Sequence, residues 1–269
     1  MQPFEMVRPE TVAEAHAAFQ DQEDSRYLAG GMSLIPSMKL GLVAPPRVID
    51  LSLIPGLSEI VHSGDAIKIG ALARHSDVSR SPVVNEFLPG VSLLAEGIGD
   101  RQVRNRGTIG GSVANNDPAA CYPSAILALD ATITTNSREI PAADLFLGLF
   151  ETSLEPGEMI TGFRFAIPKA SHYVKFHQKA SRFALVGVFV SLTQDLKWRV
   201  AVTGASSHVF RVAEYEDVLN VGGRPSDFPT EFASPPMNSD IHGSADYRKH
   251  LVGVIAGRAV GQLMHSLSQ

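Results

Sequence analysis

Apolar positions recur along this chain with two different periods, and the switches between them mark its elements. Val12, Ala15, Ala18 and Phe19 fall on one face at helical spacing. Thr11 followed by Glu14 is the capping-box pattern, in which two side chains satisfy backbone N–H groups that a helix start leaves unpaired. The short apolar run Tyr27-Leu28-Ala29 feeds a glycine pair. Residues 47–51 read as a strand, 54–57 as a turn, and 60–61 with 67–71 as a hairpin around Ser63-Gly64-Asp65. A helix is expected after His75-Ser76, and another over 91–98 that ends in Gly97 and Gly99. Residues 123–129 read as a helix, 132–135 as a strand, 139–141 as the start of its return, and 158–165 as a longer strand.

Past Pro168 the pattern shifts. Tyr173-Val174-Lys175-Phe176, residues 184–192 and residues 198–204 predict three strands, arranged antiparallel. Residues 212–219 predict a helix, and 222–243, rich in Pro, Ser and Gly, a long loop. The last element is helical, capped by Ser244, with Tyr247, Leu251, Val254, Ile255 and Ala259 on one face.

Two stretches stand out because they repeat one device. Ala29-Gly30-Gly31-Met32-Ser33-Leu34 runs from an apolar strand through two glycines to a helix-capping serine. Thr108-Ile109-Gly110-Gly111-Ser112-Val113-Ala114 again runs apolar residue, glycine pair, serine, apolar residue. Paired glycines allow positive φ and let another group approach the backbone closely. A strand, a glycine turn and a helix start together aim bare N–H groups at one spot, which suits a phosphate. Either copy alone reads as an ordinary tight turn; two copies suggest a two-sided clamp for a diphosphate. Neither matches the Rossmann or P-loop fingerprint. Between them, 100–106 is dense in polar residues, and Arg101, Arg104 and Arg106 fit a solvated loop, a diphosphate counter-charge or a partner-docking site. Asn115-Asn116-Asp117-Pro118 fits a capped turn or a set of hydrogen bonds to a polar ligand.

Composition narrows the classes. The formal net charge of −5 gives no footprint for nucleic acid. Cys121 is the only cysteine, so the chain has no disulfide framework and no cysteine-bound iron–sulfur cluster or zinc. The start lacks a basic region followed by an apolar one, and the most apolar run, 183–190, is too short to cross a membrane. A cytoplasmic protein with no transmembrane segment is the expectation. No metal-ligand spacing occurs among the nine histidines, no carboxylate pair stands out, and Gly204-Ala205-Ser206-Ser207-His208 places Ser beside His without a triad pattern. A phosphate site without proton-transfer machinery is what a chain needs when a cofactor carries the chemistry. No residue is assigned as catalytic or metal-binding.

The glycine stretches resemble the two FAD-binding loops of the flavin-carrying medium subunit of molybdenum hydroxylases, the carbon monoxide dehydrogenase and xanthine dehydrogenase family. The first match covers Ala29 to Lys39 and the second Arg106 to Ala120. Similarity continues through 150–161, 179–188 and 239–248, so it spans nearly the whole chain. The resemblance implies an α+β fold: an FAD-binding domain of the vanillyl-alcohol-oxidase (PCMH) type over 1–168, with subdomains of about 1–57 and 58–168. A C-terminal domain over 169–269, of three-stranded antiparallel sheet and helices, should follow.

Carried over from that family, the backbone around Ala29, Gly30, Gly31, Met32, Ser33 and Leu34, and around Thr108, Ile109, Gly110, Gly111 and Ser112, should hold the FAD pyrophosphate. Asn116 and Asp117 would lie close to the dinucleotide, and Ile160 and Lys179 nearer the isoalloxazine or ribityl part. Many members carry Asp where this chain has Cys121, a weaker hydrogen-bond partner, so somewhat weaker FAD retention is expected. The resemblance further implies a large molybdopterin-binding subunit and a small subunit with two [2Fe–2S] clusters, assembled as a dimer of heterotrimers. An external acceptor such as NAD, a quinone or oxygen would take the electrons. Two rival readings are a self-contained flavin oxidase or reductase on the same fold, and a non-enzymatic or hydrolase module whose glycine turns are only structural.

Overall fold

A computed structural model describes residues 1–268. Three short strands, β1 (Glu5–Val7), β2 (Arg26–Leu28) and β3 (Arg47–Asp50), form a parallel sheet in the order β1-β3-β2. Parallel neighbours need crossovers, and the first is the helix Val12–Gln20. Thr11 caps it by accepting from the Glu14 N–H at 3.1 Å. The capping box is only half formed, since the Glu14 carboxylate accepts from the N–H of Glu10 rather than that of Thr11. Ala15, Ile49, Leu51, Ile54, Leu57 and Met159 make a small core beneath this sheet.

The second body is an antiparallel sheet in the order β4-β5-β10-β6-β7, built from β4 (Ile60–Ser63), β5 (Ala66–Gly70), β6 (Thr132–Thr135), β7 (Glu139–Pro141) and β10 (Ile160–Ala166). The hairpin expected around Gly64 is present, with Gly64 at φ 65°. A small hairpin, β8 (Phe146–Gly148) with β9 (Glu151–Thr152), projects from this body. The helix expected after His75 is broken: His75–Arg80 ends and Pro82–Phe87 begins, because Pro82 cannot donate a helical N–H and Ser81 caps the second piece. The polar stretch is not wholly a loop, for Asp100 caps a one-turn helix Arg101–Arg104. The second glycine pair is no turn at all. It lies in the first turn of the helix Ile109–Asn115, which Thr108 caps by accepting from the Gly111 N–H.

The turn after β6 hangs on one buried carboxylate. Glu158 accepts from Arg138, Thr135, Ser137 and the N–H of Glu155 at 2.8–3.1 Å. Chiefly through the Arg138 guanidinium, its pKa falls to about 2.

The third body is the antiparallel sheet β11 (Ala170–His177), β12 (Ala184–Leu192), β13 (Trp198–Thr203) and β14 (Phe210–Arg211). Its three long strands are those expected from the sequence, with a two-residue strand added at one edge. All nine residues of β12 are buried, which explains its unbroken apolar run: both faces are covered. Tyr173, Phe189 and Ala201 join the core of the second body. On the other face lie Val186, Val188 and Val190 with the C-terminal helix Ala245–Leu267. That helix buries Arg248, Leu251, Val252, Ile255, Ala256, Ala259, Val260 and Leu263, so its inner face is rotated from the expected one and Tyr247 is exposed. Arg248 is 4 % exposed and donates to the carbonyls of Leu185 (3.0 Å) and Gly204 (2.8 Å) and to Asp240 (2.7 Å). It pins the helix to the sheet where polar groups would otherwise go unpaired.

Arg248→Leu should destabilise the chain by about 2–4 kcal/mol, because two buried carbonyls and a carboxylate lose their donor; a denaturant midpoint shift checks this. Glu158 is held below its ordinary value, so its stabilisation is complete above the unfolded pKa near 4.5 and is lost as pH falls toward 2. Glu158→Gln should flatten that acid limb in pH-dependent unfolding and cost about 2 kcal/mol at neutral pH.

Candidate functional site

A cavity of about 640 Å³ opens between the parallel sheet, the second body and the 181–183 segment of the third. That volume suits a large organic ligand. Its architecture begins with a crossing of the two glycine stretches. An ideal Cβ on Gly30 would lie 2.1 Å from the carbonyl oxygen of Arg106 and 2.8 Å from the Cα of Gly107. Only glycine lets these backbones touch. Gly31 has φ +74°, a conformation that L side chains rarely adopt. Gly110 is equally constrained, since its Cβ would meet the Ala71 carbonyl oxygen at 2.6 Å.

The two loops differ in what they offer a ligand. Among the described residues, the N–H groups of Gly30, Gly31, Met32 and Ser33 have no acceptor, so four consecutive donors stay free at the head of the helix Leu34–Lys39. Ser33, expected as the cap of that helix, makes no capping hydrogen bond, and its hydroxyl is exposed. In the second loop the N–H groups are already taken. Ile109 donates to Ala73, Gly110 to Ala71, Gly111 to the Thr108 hydroxyl and Ser112 to the Thr108 carbonyl. The symmetric clamp expected from the sequence is therefore lopsided: the first loop supplies donors, the second a bare, closely fitted wall.

Ala29, Gly30, Gly31, Met32, Ser33, Leu34, Thr108, Gly110, Gly111, Ser112, Asp117, Cys121 and Ile160 all line the cavity. Three expected residues do not. Ile109 is fully buried and points into the core of the second body. Asn116, in a left-handed conformation (φ 42°), is buried and donates through Nδ2 to the carbonyls of Gly148 and Glu151 at 2.9 and 2.8 Å. It anchors the β8–β9 hairpin, whose Phe150 reaches the cavity. Lys179 is exposed outside the lining, because the chain turns at 178–182 and presents Ser181, Arg182 and Phe183 instead. Nor do Arg101, Arg104 and Arg106 line it, so they supply no counter-charge there.

The lysine at the cavity is Lys175. Its ammonium donates to the carbonyls of Gly97 (2.7 Å) and Arg182 (3.0 Å) and reaches the Cys121 sulfur at 3.5 Å. Strand alternation could have found it: Lys175 shares a face with buried Tyr173, an unusual place for a lysine. His75 also lines the cavity, its ring against Tyr122 at 5.4 Å between centroids. Burial, and then the charge of Arg104, lower its pKa to about 4, so it is neutral at pH 7. Glu158, ionised and fully hydrogen-bonded, is committed to structure. Among the described residues no three His, Cys, Asp or Glu side chains converge as a metal site, and no helix is long and apolar enough to cross a membrane.

Known proteins place this geometry. Residues 2–170 match the family described as the FAD binding domain in molybdopterin dehydrogenase. The nicotine 6-hydroxylase medium subunit of Paenarthrobacter nicotinovorans is 37 % identical over 267 residues, covering 94 % of each chain. The carbon monoxide dehydrogenase medium chain of Hydrogenophaga pseudoflava is 32 % identical, covering 96 % of each. A crystal structure of Cu,Mo-CO dehydrogenase superposes with a TM-score of 0.88 at 30 % identity, over 98 % of this chain and 99 % of that one. With the family model, the near-full-length relatives and the glycine-walled cavity in agreement, the chain belongs to the FAD-binding medium subunits of the molybdenum hydroxylases, and it is an oxidoreductase subunit.

Proposed function

We propose that this chain is the electron-exit subunit of a three-component hydroxylase. It takes electrons from a small [2Fe–2S] subunit, which receives them from a large molybdopterin subunit, and passes them to an external acceptor such as NAD, a quinone or oxygen. FAD, when bound, supplies the redox chemistry; the chain's own residues bind and orient it. On this reading the chain divides into an FAD-binding domain over 1–168, with subdomains near 1–57 and 58–168, and a C-terminal domain over 169–269. The assembly is a dimer of heterotrimers.

The observation that carries the reading is the run of four free N–H groups from Gly30 to Ser33 on the cavity lining, beside a backbone crossing at Gly30 that admits no Cβ. Free backbone donors at a glycine-rich helix start favour a pyrophosphate. Ser112, Asp117 and Ile160 line the same cavity and are the residues that would contact the rest of the cofactor. Cys121 sits under the Lys175 ammonium, so an aspartate there would gain an ion pair and present a second acceptor to the cofactor.

Gly30→Ala should lower FAD affinity by more than about tenfold with the far-ultraviolet dichroism unchanged, since the added methyl pushes the crossing loops apart. Flavin absorbance retained on gel filtration reads this directly. Cys121→Asp should tighten FAD binding by about two- to tenfold, the value of one added hydrogen bond; an unchanged or weaker dissociation constant refutes it. In the purified assembly, the large subunit's substrate should bleach the flavin only when the [2Fe–2S] subunit is present. Bleaching by an organic donor with this chain alone would point to a self-contained flavoenzyme.

A further inference from the structure

Beside the dinucleotide cavity lies a second recess of about 380 Å³, lined by Arg80, Arg101, Arg104, Asn105 and two serines, and by one carboxylate, Glu96. We propose that this recess is a separate anion site that takes a phosphoryl group.

The argument starts from charge. Three guanidiniums and one carboxylate leave the recess at 3 − 1 = +2 in a chain whose formal net charge is −5. Elsewhere Arg8, Arg47, Arg138, Arg164, Arg199, Arg211 and Arg248 all pair with carboxylates. Among the described residues, Arg80, Arg101 and Arg104 form no ion pair. Other arginines are also unpaired, but these three converge on one recess. Like charges brought together without a counter-ion cost free energy, which a bound anion repays.

Donor geometry narrows the ligand. Arg80 uses only Nε, on the Ser76 carbonyl at 3.1 Å. Arg104 uses only Nη1, on the carbonyls of Ile98 and Gly99. The whole Arg101 guanidinium is free among the described residues. The recess is thus rich in N–H donors, and the Asn105 amide can add to them; the Ser76 and Ser79 hydroxyls already donate to Asp77 and to the Ser76 carbonyl. Guanidinium forks match phosphoryl oxygens pairwise. A cationic or neutral ligand would find one carboxylate and a strongly positive surround.

The recess shares a wall with the cavity. Within one short segment Gly99, Val103 and Gly107 face the cavity, while Arg101, Arg104 and Asn105 face the recess. The charge of Arg104 is felt as far as His75 on the cavity wall. An anion held here would therefore brace the segment on which Gly30 seats. The site does not depend on FAD occupying the cavity.

The test is calorimetric titration of the full-length, FAD-loaded chain with inorganic pyrophosphate, and separately with ADP. One saturable site is expected. Arg80→Gln and Arg101→Gln should each weaken it by about tenfold or more, the loss expected of a charge-assisted hydrogen bond. Glu96→Gln should tighten it, and none of the three should change flavin content. ADP binding tighter than pyrophosphate assigns the phosphoryl group to a nucleotide; equal or weaker binding assigns it to a free anion. No binding of either probe overturns the proposal and leaves the arginines to an acidic protein surface. Binding that both arginine variants leave unchanged overturns it too. A colourless chain would count against the flavin reading alone; there the loss of binding in the Arg80→Gln and Arg101→Gln variants, neither of which lines the dinucleotide cavity, still decides this site.

Discussion

The structure depends on one contact between backbones. Gly30 seats against the Arg106 carbonyl and the Gly107 Cα, so at this point the first body and the second meet backbone to backbone. A methyl group at that point has nowhere to go, because both partners are backbone and neither can swing aside. The crossing brings both glycine stretches to the cavity wall, where the N–H groups of residues 30–33 have no acceptor among the described residues while those of 109–112 are satisfied within the protein. Repeating the glycine pair therefore does not repeat its role. One pair exposes donors; the other lets a helix start lie flat on the Ala71 backbone.

The rest of the molecule holds that crossing in place. Asn116 fixes the β8–β9 hairpin and Lys175 ties the Gly97 and Arg182 carbonyls together across bodies two and three. The sheet of the third body is buried on both faces, one against the second body and one against the C-terminal helix. It thus serves as a shared wall rather than an appended module. Arg248 and Glu158 are charges inside such walls: the Glu158 carboxylate accepts from four residues, and Arg248 is paired with Asp240 and two carbonyls through Nη1 and Nη2, with its buried Nε alone left without a partner among the described residues. Such pairing is the condition under which a buried charge stabilises. Polar groups at the cavity divide the same way: those already satisfied build shape, and those left free are available to a ligand.

Much of this was readable from residues alone. The long strands, the capped helices at Thr11 and Ser244, the Gly64 hairpin and the two glycine stretches follow from period, caps and punctuation, which act over a few residues. The single cysteine and the missing metal spacings bounded the chemistry, and the motif resemblance named the cofactor. Sequence also marked 29–34 and 108–117 as the ligand-facing stretches, and most of their residues do reach the cavity.

What only the tertiary structure decided was direction. Ile109 and Asn116 sit between cavity-lining neighbours in the chain yet point into the core and to a hairpin: a helix turns successive side chains by about 100°, and Asn116 leaves the helix in a left-handed conformation. Lys175 replaced Lys179 at the cavity because the strand ends at His177 and the chain turns at 178–182, leaving Lys179 exposed, while Lys175 stays in the strand and reaches the Gly97 and Arg182 carbonyls. The C-terminal helix turns toward the sheet the face that carries Arg248 and seven buried apolar residues, not the one centred on Tyr247. Arg101 and Arg104 turned away from the cavity because Val103, between them, took the inward position. Local pattern determines which elements form and where a site's residues cluster. Which way each side chain faces is settled by long-range packing, to which the one-dimensional pattern carries no pointer.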